Sequence, residues 1–405
     1  MSELRTAAEN AAALAAWRGL NASLHALARG LFPAHPLTLR PRRVVVHLIG
    51  NIGDIVVAVP ALMALRARYP EARLTLLTSP GARGAPGAAE LLTGVSYLDA
   101  LEVYYKDDID SPTKQLALVG RVRSWAPDLM VFIPSSRVPP STVYRNLAFA
   151  RLCRPGAVFN YQVPSSPWFR LSQARSRARF PSEVDRHLAS LAPLGVAHPE
   201  SVSFELGRAP PADGEAIAAL VRECSGDDRP VLAICPGGKQ EGHLWPVDRF
   251  TEVARRARHE CDAHVWLVGG PGDREAARAI REVVPDAVDL TGGLSILGTA
   301  ALLGHADLML SNDTGPMHLA VAAGTRVCAI FSSQDFAGRW YPYGDGHLVF
   351  RAADVCPVCL FGAARTQHCV SKIGTAEVAR ACVDALRQAV TARSRRDNEK
   401  CLESL

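Results

Sequence analysis

From Arg43 onward the chain alternates short aliphatic and β-branched runs with connections long enough for a helix, and this alternation narrows the available folds more than any other feature. Val44–Leu48, Arg73–Leu77 and Leu129–Ile133 form a first series. Val231–Cys235, His264–Val268, Ala287–Leu290, Leu308–Leu310 and Val327–Phe331 form a second, beyond the Pro- and Asp-rich stretch from Arg208 to Pro230. Runs with so little polar alternation are buried on both faces, as strands of a parallel sheet are, and helical crossovers return the chain between them. The pattern predicts two α/β domains, residues 42–207 and 230–390, joined by a linker at 208–229. A length of 405 residues agrees, being too long for one ordinary core.

Ahead of the first strand, residues 1–41 read as a helical extension and linker. The Ala- and Leu-rich stretch 3–31 has helical periodicity and meets no strong breaker before Pro33. Its apolar side, Leu14, Trp17, Leu20, Leu24, Leu27, Leu31 and Phe32, is either a packing face or a surface for a membrane or partner helix. Residues 391–405 read as a polar tail.

With 48% hydrophobic and 21% charged residues the chain has ample core material, which excludes a disordered or fibrous protein. Lys and Arg number 45 against 40 Asp and Glu, and a net charge of +5 over this length does not mark a nucleic-acid binder. It tolerates an anionic substrate or an acidic membrane surface. No apolar run reaches the roughly 18 residues of a membrane span, and the start lacks a basic segment followed by an apolar one. A cytoplasmic protein is expected. Cys153, Cys235 and Cys328 lie inside apolar runs and read as reduced thiols that pack as small hydrophobes.

Parallel sheets bind ligands beyond the carboxyl ends of their strands, so the loops there carry the chemistry. The first strand ends in Gly50-Asn51-Ile52-Gly53-Asp54. The glycines permit a tight turn, and Asp54 is either a cap of the next helix or a carboxylate presented at the strand end. A dinucleotide fingerprint needs a third glycine and a later acidic residue, which this loop lacks, so a nicotinamide cofactor is not expected. Pro60, two turns on, should kink or restart that helix.

In the second half, Ser311-Asn312-Asp313-Thr314-Gly315-Pro316-Met317-His318 follows a strand. Asp313 or Thr314 can cap a helix with Pro316 near its first position, leaving N–H groups around Thr314 and Gly315 to meet an anion such as a diphosphate. His318 lies on the first turn. Pro236-Gly237-Gly238-Lys239 sets a cation beside glycines at another strand end, and Asp273 and Glu275 follow Gly269-Gly270-Pro271-Gly272 where ribose hydroxyls could be received.

Together, the Gly53-Asp54 turn followed by Val59-Pro60-Ala61-Leu62, the segment from Pro236-Gly237 to Trp245-Pro246, the Gly269–Gly272 loop and Asn312-Asp313-Thr314-Gly315-Pro316-Met317-His318 resemble glycosyltransferase family 9, the ADP-heptose:lipopolysaccharide heptosyltransferases. The likeness covers roughly residues 43 to 390. It implies a GT-B fold, two Rossmann-like domains facing across a cleft, with acceptor in the first and nucleotide sugar in the second. It also implies inverting transfer with no metal or other cofactor. Asp54 matches the family's catalytic base, and Asp313, Thr314, Gly315 and His318 match its donor-binding element, with Lys239 in the phosphate-facing segment. The family commonly has Lys two residues before Trp-Pro, where this chain has His243. The partners so implied are an ADP-heptose donor and an anionic glycolipid of the lipopolysaccharide core, with peripheral contact at the inner face of the cytoplasmic membrane.

Asn51, Arg137, Arg145 and Arg151 are candidate acceptor contacts, the arginines reading equally well as surface residues. A protein or secondary-metabolite acceptor, another nucleotide sugar, or a silent sugar-nucleotide binder are the rival readings. Retention of both Asp54 and the Asp313–His318 element argues against silence. Cys356, Cys359, His368 and Cys369 could chelate a metal, but a closed structural site usually shows two ligand pairs, and a single Cys-x-x-Cys leads to the expectation of a metal-free protein.

Overall fold

The structure, a computed structural model, describes residues 2–32, 40–136, 138–161, 179–224, 228–352, 356–360 and 369–403. The chain divides into two compact units, Met1–Gly207 with Phe336–Arg339, and Arg208–Asp335 with Trp340–Leu405.

The first unit runs α1 (Ser2–Leu31), β1 (Arg43–Ile49), α2 (Ile52–Arg68), β2 (Arg73–Gly81), α3 (Ala88–Leu92), β3 (Ala100–Tyr105), α4 (Pro112–Ser124), β4 (Leu129–Phe132), α5 (Pro140–Cys153), β5 (Ala157–Phe159) and α6 (Glu183–Leu191). All its strands pair in parallel, in the order β3-β2-β1-β4-β5. β1 is central, with Val44 opposite Leu74 on one side and Leu129 on the other. Its five interior residues are all buried, as the unbroken apolar run requires. α2 is one helix through Pro60, and no restart occurs there.

One face of this sheet settles part of the question posed by the N-terminal segment. Leu24, Ala28 and Phe32 pack with Leu118 and Val122 of α4 and Val143 and Leu147 of α5 over Val45, Leu77 and Phe132. His25 Nδ1 lies 3.2 Å from the Tyr161 hydroxyl, pinning the same helix face. Leu20 and Leu31 extend this packed stripe, whereas Leu27 is exposed. α1 is thus built into the core of the first unit. No helix among the described residues is long and apolar enough to cross a membrane.

The segment Phe336–Arg339 belongs to the first unit although its neighbours in sequence do not. Phe180 donates its N–H to the Ala337 carbonyl at 2.7 Å and stacks on Phe336 with ring centroids 4.3 Å apart. Glu183, whose side chain is fully buried, donates its N–H to the Arg339 carbonyl and faces the guanidinium at 3.5 Å. Arg186 grips the same carboxylate, with Nη2 at 2.6 Å, and His187 packs beside it. A buried carboxylate is tolerable because two arginines compensate its charge.

The second unit runs α7 (Pro211–Cys224), β6 (Val231–Cys235), α8 (Val247–Cys261), β7 (His264–Leu267), α9 (Arg274–Val283), β8 (Val288–Asp289), α10 (Ile296–Leu303), β9 (Leu308–Asn312), α11 (Gly315–Ala322), β10 (Val327–Phe331), β11 (Leu348–Arg351), α12 (Pro357–Leu360) and α13 (Thr375–Glu403). Its sheet is also parallel, ordered β11-β10-β9-β6-β7-β8. Phe250, Val253 and Ala257 of α8 and Val378, Cys382 and Leu386 of α13 pack over Ile234, Leu267 and Leu310. α7 occupies part of the 208–229 segment, and α13 continues to Glu403.

Candidate functional site

In a parallel sheet the crevice opens where strand order reverses, outside the carboxyl ends of the two strands that diverge there. The reversal lies between β1 and β4 in the first unit and between β6 and β9 in the second. The loops after β1, β6 and β9 are the Gly50–Asp54, Pro236–Lys239 and Asp313–His318 segments singled out in the sequence, whereas the Gly269–Glu275 segment follows β7, one strand away from the reversal.

In the first unit, β1 ends at Ile49 and α2 begins at Ile52, with Asn51 in extended conformation at the cap. Asp54 is half-buried on the first turn, and its Oδ2 accepts the Asn51 N–H at 3.1 Å. Gly50 is required by this closure, because a Cβ there would lie 2.2 Å from that of Asp54. Asp54 therefore does act in the helix cap, with one carboxylate oxygen given to it.

Behind this turn, on β1, His47 is buried with its Nε2 3.0 Å from the Tyr104 hydroxyl, between the rings of Phe132 and Phe149. Burial, helped by the positive charge of Arg145, brings the His47 pKa down to about 4. Arg145 is exposed on α5 yet near enough to act on both His47 and Tyr104. Arg151, also exposed, is six residues further along α5, roughly 9 Å further down the helix at 1.5 Å per residue. Arg137 lies outside the described residues.

The second unit holds the more elaborate arrangement. Asn312, fully buried at the end of β9, accepts the Trp245 N–H at 2.9 Å through Oδ1 and donates Nδ2–H to the Pro236 carbonyl at 2.7 Å. One side chain thus ties the loop after β9 to the loop after β6. Close approach does the rest. A Cβ on Gly238 would come within 2.9 Å of Thr314, and one on Gly237 or Gly269 would overlap the Asp273 carboxylate. Only glycines let the Pro236–Lys239, Gly269–Asp273 and Asp313–Thr314 loops converge.

Thr314 is the extended N-cap of α11, with Pro316 in its first turn, as the sequence predicts. Its hydroxyl lies 3.3 Å from that of Ser311 and 3.4 Å from the Asn312 carbonyl. Beneath them burial pushes the Cys235 thiol up to about 12, so it stays protonated. Asp273 accepts the Gly270 N–H at 2.8 Å, and its burial raises its pKa. Lys239 is exposed directly after Gly238, and Glu275 is exposed at the start of α9.

His243 proves to be part of this site. Its Nδ1 lies 3.5 Å from the Asp313 carboxylate and its Nε2 2.5 Å from Gln334 Oε1. His318 is buried, edge-on to Trp340 at 5.9 Å, and burial lowers its pKa to about 4. It is therefore neutral at neutral pH, an imidazole and not a cation. Cys356, Cys359 and Cys369 also converge, while His368 lies outside the described residues.

The sequence profile of glycosyltransferase family 9 (heptosyltransferase) matches residues 156–368, more than half of the chain. The chain belongs to this family. As a family 9 glycosyltransferase it is 24% identical over 322 residues, 75% of its length and 86% of the relative's, to lipopolysaccharide heptosyltransferase 3 of Escherichia coli. Among solved structures it resembles a family 9 glycosyltransferase from Veillonella parvula, with TM-score 0.67, 18% identity, and coverage of 86% of this chain and 98% of that one. It also resembles the E. coli ADP-heptose lipopolysaccharide heptosyltransferase II, with TM-score 0.58, 17% identity, and coverage of 85% and 99%. The two parallel-sheet α/β domains are those of the GT-B fold.

Three buried neutral histidines make the stability of this glycosyltransferase depend on pH. His47, His187 and His318 all have pKa values lowered chiefly by desolvation, His187 most of all. Each folded-state pKa lies below the unfolded value of about 6.5, so acid protonates the unfolded chain first. Their contribution is complete above pH 6.5 and is lost as pH falls toward 4. Unfolding free energy should drop by about 1.4 kcal/mol per pH unit for each of them within that window. Denaturant titrations at pH 7, 6 and 5 check this; equal stabilities at 7 and 5 would contradict it.

Proposed function

We propose that the chain transfers heptose from an ADP-activated donor to a hydroxyl of a lipopolysaccharide core, with inversion at the anomeric carbon. The observation carrying this reading is the Asn312-held convergence of the Gly237–Lys239 loop with the Thr314-capped start of α11, at the strand-order reversal of a family 9 enzyme. A helix start with its N–H groups outward, a hydroxyl and a nearby lysine make a diphosphate site. The names of the relatives, a lipopolysaccharide heptosyltransferase and an ADP-heptose heptosyltransferase, support the same donor and acceptor class.

In this reading Asp54 takes the proton of the attacking hydroxyl as the acceptor oxygen bonds to the anomeric carbon and the bond to diphosphate breaks. The leaving diphosphate is stabilised by the α11 N–H groups around Gly315, the Thr314 hydroxyl and Lys239. Asp273 and Glu275 receive ribose hydroxyls. Asp313, held by His243, and neutral His318 shape the donor pocket. Asn51 and Arg145 meet the acceptor, and Arg145 is favoured over Arg151 by its place nearer the start of α5. A net charge of +5 supports a peripheral approach to anionic lipid at the inner membrane face.

Nucleotide release from a panel of nucleotide sugars, with a lipopolysaccharide core fragment as acceptor, tests the reading. ADP-heptose should give the highest turnover; release confined to UDP- or GDP-sugars would refute the donor assignment. Thr314→Val removes the hydroxyl while keeping the β-branched shape, and should weaken ADP binding by about 1–2 kcal/mol in calorimetry. Unchanged affinity would place the diphosphate elsewhere.

A further inference from the structure

We propose that Cys356, Cys359 and Cys369 form a thiolate site for a tetrahedral divalent metal ion, Zn2+ or Fe2+. This reverses the metal-free expectation from sequence and is independent of the sugar-transfer reading. A lone Cys-x-x-Cys is weak evidence, and the structure adds what spacing could not supply. A third thiol, ten residues on, arrives at the same point, and the three sulfur atoms all lie within 4.8 Å of one another. Among the described residues this is the one such convergence of three ligating side chains.

The local chain explains the convergence. Cys356 directly precedes α12 and Cys359 lies within it, so their spacing of three brings both thiols to one side of a helical turn. Cys369 immediately precedes the 3-10 turn Val370–Lys372, whose Val370 is anchored in the core of the second unit. Cys359 and Cys369 are buried with sulfurs 3.0 Å apart, while Cys356 is half-buried and leaves a way in for an ion.

The donor set fits the ion. Zn–S bonds of about 2.3 Å at tetrahedral angles put ligand sulfurs roughly 3.8 Å apart, between the 3.0 Å contact and the 4.8 Å limit found here. Three soft thiolates select Zn or Fe over Mg or Ca, which take oxygen ligands. Simple packing needs no such arrangement. Cys153 and Cys235 are equally buried and belong to no such trio.

The position suggests what the ion would do. Four residues after Cys369, the Ile373 carbonyl accepts the Trp245 Nε1–H at 3.3 Å and an Arg249 N–H at 2.7 Å. Trp245 in turn gives its backbone N–H to Asn312. A metal clip at Cys369 would fasten the strand of chain that seats Trp245 beneath the converging loops, and its free energy of binding would add to that of folding.

The test uses the full-length protein, purified reduced, without chelators and with any affinity tag removed. Elemental analysis should find about one zinc or iron per chain and tells the two apart. After depletion, titration with Co2+ should produce thiolate-to-cobalt charge-transfer absorption and tetrahedral ligand-field bands. Cys356→Ser, at the half-exposed position, should fold and bind Co2+ at least about tenfold more weakly; Cys359→Ser should lose the ion and melt at lower temperature. Metal-free protein that gives no cobalt charge-transfer band would overturn the proposal, as would a Cys359–Cys369 disulfide in protein isolated anaerobically. A cobalt spectrum unchanged in Cys→Ser variants at all three positions would overturn it too, because the ion would then sit elsewhere.

Discussion

Replacing Asp54 by Asn is expected to cut turnover about 100-fold or more, the usual loss when a general base is removed, with donor affinity and melting temperature close to the parent's. The substitution suits the geometry. The Asn51 N–H needs an acceptor at Asp54, and an amide oxygen can take it, so the cap and the turn over Gly50 persist while the proton acceptor disappears. Asp54→Ala removes both functions and should cost about 1 kcal/mol of stability in addition. Comparing the two separates the cap from the base. If Asp54→Asn retains near-normal turnover where chemistry limits the rate, the carboxylate serves the helix alone.

The central strands were legible because their residues are buried on both faces and form unbroken apolar runs. Of the four edge strands only β8, inside the Ala287–Leu290 run, was legible. β3 carries Glu102 within its run, β5 has three residues, and β11 is only half-buried throughout, so none shows the signature of a central strand. The site divides in the same way. Glycine loops at strand ends announce themselves, since Gly50, Gly237 and Gly238 stand where a Cβ would collide. His243 stands out in sequence only as a departure from the lysine that the resemblance implies, and nothing local marks its contacts; only folding brings it to Asp313 and Gln334. The Glu183–Arg339 pair joins residues far apart in sequence, and no periodicity or motif could place Phe336–Arg339 in the first unit. Leu27 illustrates a smaller limit: helical periodicity groups it with Leu24 and Leu31, but the stripe that packs turns through Ala28, whose small side chain is a weaker signal than a leucine.

Asn312 shows the largest gap between what a residue looks like in sequence and what it does, and Asn312→Ala is the second large effect expected. The side chain is fully buried and serves both as acceptor for the Trp245 N–H and as donor to the Pro236 and Gly237 carbonyls, the latter at 3.3 Å. Truncation strands a buried N–H and two carbonyls, at about 1–3 kcal/mol for an unsatisfied buried group, so an overall loss of roughly 3 kcal/mol in denaturant unfolding is expected. Function should suffer separately from stability. With the staple gone, the loop after β6 is no longer tied to the start of α11, and ADP affinity should fall by at least about tenfold even at temperatures where the variant is fully folded. Asn312→Asp is the sharper probe: it keeps the acceptor for Trp245, loses the donor to Pro236, and buries a charge against carbonyl oxygens, so it should be no more stable than the alanine variant. Full stability with undiminished ADP affinity in Asn312→Ala would mean that the glycine contacts alone hold the loops together.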